Sequence, residues 1–155
     1  MLWAIIPLQW LHILIAIFWF GSALTLNFAL VPALKIMQFD AQKSWLTAFE
    51  EKYGRIVAAA GGLTIVLGTL RGIAGGVLGQ LGTAYGVTFI AAVVLTIGIA
   101  VIGARLTGPI FSKLSGAMNR EEVDALLPQA SRYARIELAA FLVVFTLMIA
   151  MRFGL

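Results

Sequence analysis

Residues 8–33 read LQWLHILIAIFWFGSALTLNFALVPA, a stretch without a single lysine, arginine, aspartate or glutamate. About 20 residues of helix at roughly 1.5 Å each cross a hydrocarbon layer, so this segment is long enough to span a bilayer. Inside lipid every backbone polar group must be satisfied within the segment, and the stretch lacks the strict alternation of a barrel strand. A helix is the remaining solution. Pro7 and Pro32 stand near its two ends, where a helix tolerates interruption.

Working outward, three further apolar runs follow. The second opens after Arg55 and meets Arg71, whose long stem can snorkel toward headgroups, so the span is placed at about 55–74. A charge-free turn rich in glycine (Gly75, Gly76, Gly79, Gly82) leads to a third span at about 85–104. The last, at about 134–152, takes in Tyr133, Ala134 and Ile136 at its start. With 61% hydrophobic and 12% charged residues in a chain of 155, lipid has to be part of the solvent. The expected fold is all-α: one transmembrane domain over residues 1–155, a four-helix bundle in the cell membrane.

The basic residues set the expected orientation, because short cytoplasmic loops are rich in lysine and arginine. Lys35, Lys43, Lys52 and Arg55 lie between the first two spans, and Arg105, Lys113, Arg120, Arg132 and Arg135 lie around the third connection. Only Arg71 and Arg152 fall on the other side. Both termini are therefore expected outside. Acids are mixed into the same loops (Asp40, Glu50 and Glu51; Glu121, Glu122 and Asp124), so the net charge of +4 is a topology signal and no nucleic-acid partner is indicated. The loops themselves read as short amphipathic helices, with Phe39, Leu46 and Phe49 in one and Val123, Leu126 and Leu127 in the other facing the membrane or packing the rim of the bundle. The N-terminal stretch has no basic residue before it and exceeds the apolar region of a cleaved signal, so it reads as a retained span.

No repeat, low-complexity tract or soluble domain is evident, and no cysteine is present, which removes disulfides, thiolate metal sites and covalent haem attachment through Cys-x-x-Cys-His. Small residues four apart (Ala58 and Gly62, Gly68 and Gly72, Gly82 and Gly86) suit close helix contact within the bundle, a homo-oligomer or a larger membrane complex. Glu137 enters the fourth span at the depth at which Arg55 enters the second, so the two are expected to pair, with Arg132 or Arg135 as local alternatives.

Few polar residues remain inside the spans. His12, the only histidine, lies about one turn into the first and seven positions before Trp19, hence on the same helical face. Met148 and Met151 lie at a comparable depth in the fourth. Neither a nucleophile–base pair, nor paired intramembrane carboxylates, nor a phosphate loop is present, and the reading leans away from an enzyme.

The pattern His12-x6-Trp19-x-Gly21 resembles the opening helix of CopD-like membrane proteins, a family of small helical bundles related to the HemJ-type protoporphyrinogen oxidases. A second span opened by Arg55 and closing on Gly68-Thr69-Leu70-Arg71 is similar as well. The resemblance covers about the first half of the chain. It implies either b-type haem held through the first-helix histidine or copper handling. HemJ-type enzymes carry an arginine soon after the Trp-Gly segment and an intramembrane lysine, whereas Gly21 to Leu34 is uncharged here and no span holds a lysine, so that oxidase activity is not implied. CopD-like proteins tend to carry further histidines or methionines for metal, and this chain has no second histidine.

Two site readings follow. In the first, His12 is an axial ligand of haem b, with Met148, Met151 or the same histidine of a second copy opposite it, Trp19 and Phe18 as flat apolar surface, and Arg71 and Arg152 on the propionates. In the second, His12, Met148 and Met151 bind copper as Cu(I), which suits imidazole and thioether together. A structural or assembly subunit would need none of these residues. For the topology, single cysteines at Gln42 and Gln80 are expected to label from opposite faces of the membrane; labelling from one face contradicts the four-span arrangement.

Overall fold

The computed structural model describes residues 2–154, and all of its regular structure is helical. Four long apolar helices follow one another: α1, Ile5–Ile36; α2, Phe39–Ala74; α3, Ala84–Ser115; and α4, Arg120–Arg152. By length and composition this is a multi-pass membrane protein. Met1 and Leu155, expected on the outer face, lie outside the described residues. At 32 to 36 residues the helices are roughly 48–54 Å long, against a hydrocarbon core of about 30 Å. The excess lies at the end carrying Lys35, Lys43, Lys113 and Arg120, called here the basic end. At the opposite end a short 3₁₀ turn, Val77–Gln80, links α2 to α3, after Gly76 takes a left-handed conformation (φ 83°) that few side chains tolerate.

Two helices change register before a proline. In α1 a π-helical turn at Leu26–Leu30 precedes Pro32, and in α3 another at Gly103–Thr107 precedes Pro109. Proline has no N–H to donate and its ring crowds the carbonyl four residues back. The backbone answers by shifting to i→i+5 bonds, Val31 N–H to Leu26 O and Gly108 N–H to Gly103 O, and the helix continues. A third such turn, Glu50–Gly54, sits in α2.

The matching turns disclose an internal repeat that was not evident from the sequence. One constant offset relates Gly21 to Gly98, Ala23 to Ala100, and Pro32 to Pro109; another, three residues larger, relates Tyr53-Gly54-Arg55-Ile56-Val57-Ala58-Ala59-Ala60 to Tyr133-Ala134-Arg135-Ile136-Glu137-Leu138-Ala139-Ala140. Burial follows: Arg55 and Arg135 are exposed, Gly61 and Phe141 buried, Thr64 and Val144 buried. The chain is thus two α-hairpins of like build, α1–α2 and α3–α4. Each hairpin returns to its starting side, so the relation is a parallel repeat about an axis along the membrane normal.

The most extensive helix contacts lie within the hairpins. Between hairpins, two cores close the bundle. One, toward the middle, centres on Trp19, Ala23, Ala60, Ile99, Phe141 and Val144. The other fills the basic end with Leu34, Leu46, Ile110, Leu114, Val123 and Leu127. Leu46, Val123 and Leu127 therefore face this core and not lipid, with Phe39, Phe49 and Leu126 packed on its margin. The connecting segments are helix extensions with a core of their own.

Polar contacts tie the helices at the level of the π turns. Tyr53 Oη donates to Ser22 Oγ at 2.8 Å, Asn27 Nδ2 donates to Ala134 O at 2.9 Å, and Thr107 Oγ1 donates to Glu137 Oε1. The expected Arg55–Glu137 pair does not form: Arg55 is exposed, and the only ion pair among the described residues joins Arg120 to Asp124. Arg132 and Arg135 are also exposed, and a hydroxyl on α3 takes the role expected of a cation.

Arg120, at the start of α4, closes the basic end. Its Nη2 donates to Lys35 O and its Nη1 to Met37 O, both at 2.8 Å, satisfying carbonyls that the end of α1 leaves without helical partners. Gln42, beside it, is fully buried, so Ser44, which is exposed, is the proper labelling position on this side. Replacing Arg120 by alanine is expected to cost about 1–2 kcal/mol in this half-exposed setting, with lysine recovering little because it lacks the planar fork. Thermal unfolding in detergent checks this; an unchanged midpoint for Arg120→Ala would show that the clamp contributes nothing.

Candidate functional site

A cavity of about 580 Å³ lies between the hairpins on the side of the middle core away from the basic end. Six of the seven residues singled out in the sequence line it: His12 and Trp19 from α1, Arg71 from α2, and Met148, Met151 and Arg152 from α4. Phe18 does not. It turns outward against Tyr53, with ring centroids 6.4 Å apart, and the aromatic surface comes from Phe89, Phe141 and Phe145 instead. Trp19 and Phe141 meet edge to face at 4.8 Å and form the floor.

The register of α1 on α2 follows from glycines. A Cβ on Gly61 would stand 3.0 Å from the Trp19 ring, and one on Gly68 would stand 2.7 Å from His12 Cε1. The seven-residue spacing of His12 and Trp19 is thus met by the seven-residue spacing of Gly68 and Gly61 on an antiparallel neighbour. Gly72, one turn on, makes room for Phe89 of α3. Of the expected small-residue pairs, Gly68, Gly72 and Gly86 serve close packing, whereas Gly62 and Gly82 have open space where a side chain would go.

His12 Nδ1 lies 3.0 Å from Thr64 O. A carbonyl only accepts, so this contact puts the proton on Nδ1, and in the neutral ring the second nitrogen, Nε2, then keeps its lone pair. Holding one ring nitrogen on a backbone carbonyl is how proteins orient a metal-ligating imidazole. A carbonyl oxygen has two lone pairs, so Thr64 O can accept from His12 from within a helix, while the Thr64 hydroxyl turns back to Ala60 O at 2.8 Å.

Charge gathers at the mouth. Arg71 is half-buried with its Nε shielded and without a hydrogen-bond partner, while Arg152 is exposed. A guanidinium donor left unmatched in an apolar setting is costly, and a carboxylate or phosphate oxygen is its natural complement.

The repeat explains the shape of the site. His12 corresponds to Phe89, Ala16 to Val93, Trp19 to Thr96, Thr64 to Val144, Gly68 to Met148 and Arg71 to Met151, and every one of these residues lines the cavity. The cavity therefore sits on the pseudo-twofold axis, with the imidazole and one arginine on the first hairpin and both thioethers on the second. Sequence reading missed Thr64, Phe89, Thr96 and Phe141; matching the two hairpins residue by residue would have found Phe89 and Thr96, the counterparts of His12 and Trp19.

Gly68→Ala is expected to displace the His12 ring and break its bond to Thr64, destabilising the protein by about 1–3 kcal/mol, as overpacking does. Gly62→Ala, on the open side, should be neutral or slightly stabilising. Equal melting temperatures for the two variants would contradict the packing described.

Compared with protein-family models, with curated proteins and with solved structures, the chain matches none, and no family assignment follows from those comparisons.

Proposed function

We propose that this protein is a b-type haem module of the cell membrane, with its basic end and the helix connections there in the cytoplasm, and its cavity and both termini toward the outer face. The observation that carries the reading is a single histidine whose Nδ1–H is fixed on Thr64 O while Nε2 remains available, on the wall of an apolar cavity of about 580 Å³. His12 would hold iron through Nε2. Met148 or Met151 would approach from the other hairpin as the second axial ligand. Arg71 and Arg152 would pair with the propionates, and Trp19, Phe89 and Phe141 would pack on the macrocycle. Haem supplies one-electron redox chemistry, and the protein's levers on it are the axial pair and the apolar surroundings. The resemblance of the first helix to CopD-like proteins is consistent with the same histidine as ligand.

Copper handling is the second reading, favoured by one observation: His12, Met148 and Met151 line the same cavity, and imidazole with thioether suits Cu(I). Size weighs against it. The cavity falls in the range of about 300–1,000 Å³ typical of organic ligands and far exceeds what one ion needs. A structural subunit requires neither the oriented imidazole nor the buried guanidinium donor.

Protein expressed with ample haem and purified gently should show a Soret band that His12→Ala abolishes. Met148→Ala should shift the spectrum without emptying the site. Arg71→Ala should weaken haem retention roughly tenfold to a hundredfold, the worth of a charge-assisted hydrogen bond. Colourless wild-type protein overturns the assignment, and copper in its elemental analysis would transfer the site to the second reading.

A further inference from the structure

We propose that Glu137 and Thr107 form a proton-exchange site at the basic end of the spanning bundle, separate from the cavity and independent of what the cavity holds. Glu137 is 9% exposed and Thr107 7%, and the threonine hydroxyl donates to Glu137 Oε1. A carboxyl group inside an apolar helix is expensive to keep, costing about 2.5–3.5 kcal/mol for an acid at mid-membrane and less toward the edge, so it is retained for function or for packing.

The internal repeat separates these two reasons. In the first hairpin the position of Thr107 is taken by Leu30 and that of Glu137 by Val57. Leu30 lies in the same kind of π turn before the same proline, and it is buried in the core of the basic end. The hairpin is thus built with two apolar residues at these positions, and its fold does not call for the acid or the hydroxyl. Their presence in one hairpin only is a departure from the scaffold.

The surroundings suit a proton better than a metal cation. No group of three histidines, aspartates or glutamates exists among the described residues, and hard cations take six or more oxygen ligands. Nor does a fixed cation neutralise the carboxylate: Arg55 on α2, Arg105 on α3, and Arg132 and Arg135 on α4 are all exposed, and none is within ion-pair distance among the described residues. The other neighbours are uncharged. On α1, Asn27 is committed to Ala23 O and Ala134 O, and Ser22 to Phe18 O while it accepts from Tyr53 of α2. Gly103 faces Glu137 across the contact and adds no polar side chain there; a Cβ on it would stand 3.7 Å from Oε1, an ordinary contact. Between Glu137 and the cavity lies the apolar layer of Trp19, Ala23, Ile99 and Phe141, so exchange runs to the basic end.

Infrared spectroscopy of the lipid-reconstituted protein tests this directly. A carboxylic-acid carbonyl band should respond reversibly to pH, shift in D₂O, and vanish in Glu137→Gln. Thr107→Val should move its midpoint. Glu137→Val, which installs the residue of the first hairpin, should lose the band while unfolding at the same temperature or higher. The proposal is overturned if no band titrates, if the band survives Glu137→Gln, if Glu137→Val lowers the unfolding temperature markedly, or if sodium displaces the proton at constant pH.

Discussion

The approach of α1 to α2 at Gly61 and Gly68 constrains everything above the middle core. Two bulky rings, Trp19 and His12, stand on two residues without side chains, and the helices come close enough for the His12 ring to reach the Thr64 carbonyl. Lipid offers no hydrophobic drive for helix association, so contact has to come from fitted surfaces of this kind and from a few interhelical hydrogen bonds. Once α1 is locked on α2, the imidazole has one orientation, Trp19 forms the floor of a cavity, and the other wall is left to the second hairpin.

That second hairpin is built on the same plan, yet its corresponding positions carry different chemistry. Phe89 stands for His12 and Met148 for Gly68; Glu137 and Thr107 stand for Val57 and Leu30. The shared plan comprises the proline-driven π turns, the Tyr-x-Arg-Ile segment midway along α2 and α4, and the alternation of buried and exposed faces. The differences fall at the cavity and at the basic end. A repeat that keeps its packing while its polar residues diverge is a route by which one scaffold acquires two unlike sites without new backbone, and the apolar layer of Trp19, Ile99 and Phe141 keeps the two apart.

The helices and their number were legible because uncharged runs of this length have one solution in lipid. So was the depth shared by His12, Met148 and Arg71, since position along a span is position across the membrane. Which residues face one another was less legible. Hydrophobic periodicity is nearly uniform around a lipid-embedded helix, and so Phe18 passed for a cavity residue and Gly62 for a packing glycine. The pairing of Glu137 was missed because a cation was sought where a threonine at the end of a π turn sufficed. The loops had two readings, facing the membrane or packing the rim of the bundle, because one apolar stripe serves either; Leu46, Val123 and Leu127 take the second and share one core.

The central claim is that the gap between two like hairpins is a ligand site organised by His12. A structure determined from protein purified out of haem-supplied membranes tests it most directly. The account predicts planar density in the cavity joined to His12 Nε2, with Met148 or Met151 on the far side and Arg71 Nε on an anionic group. Acyl chains alone in the gap, with Nε2 hydrogen-bonded to the protein, would contradict it.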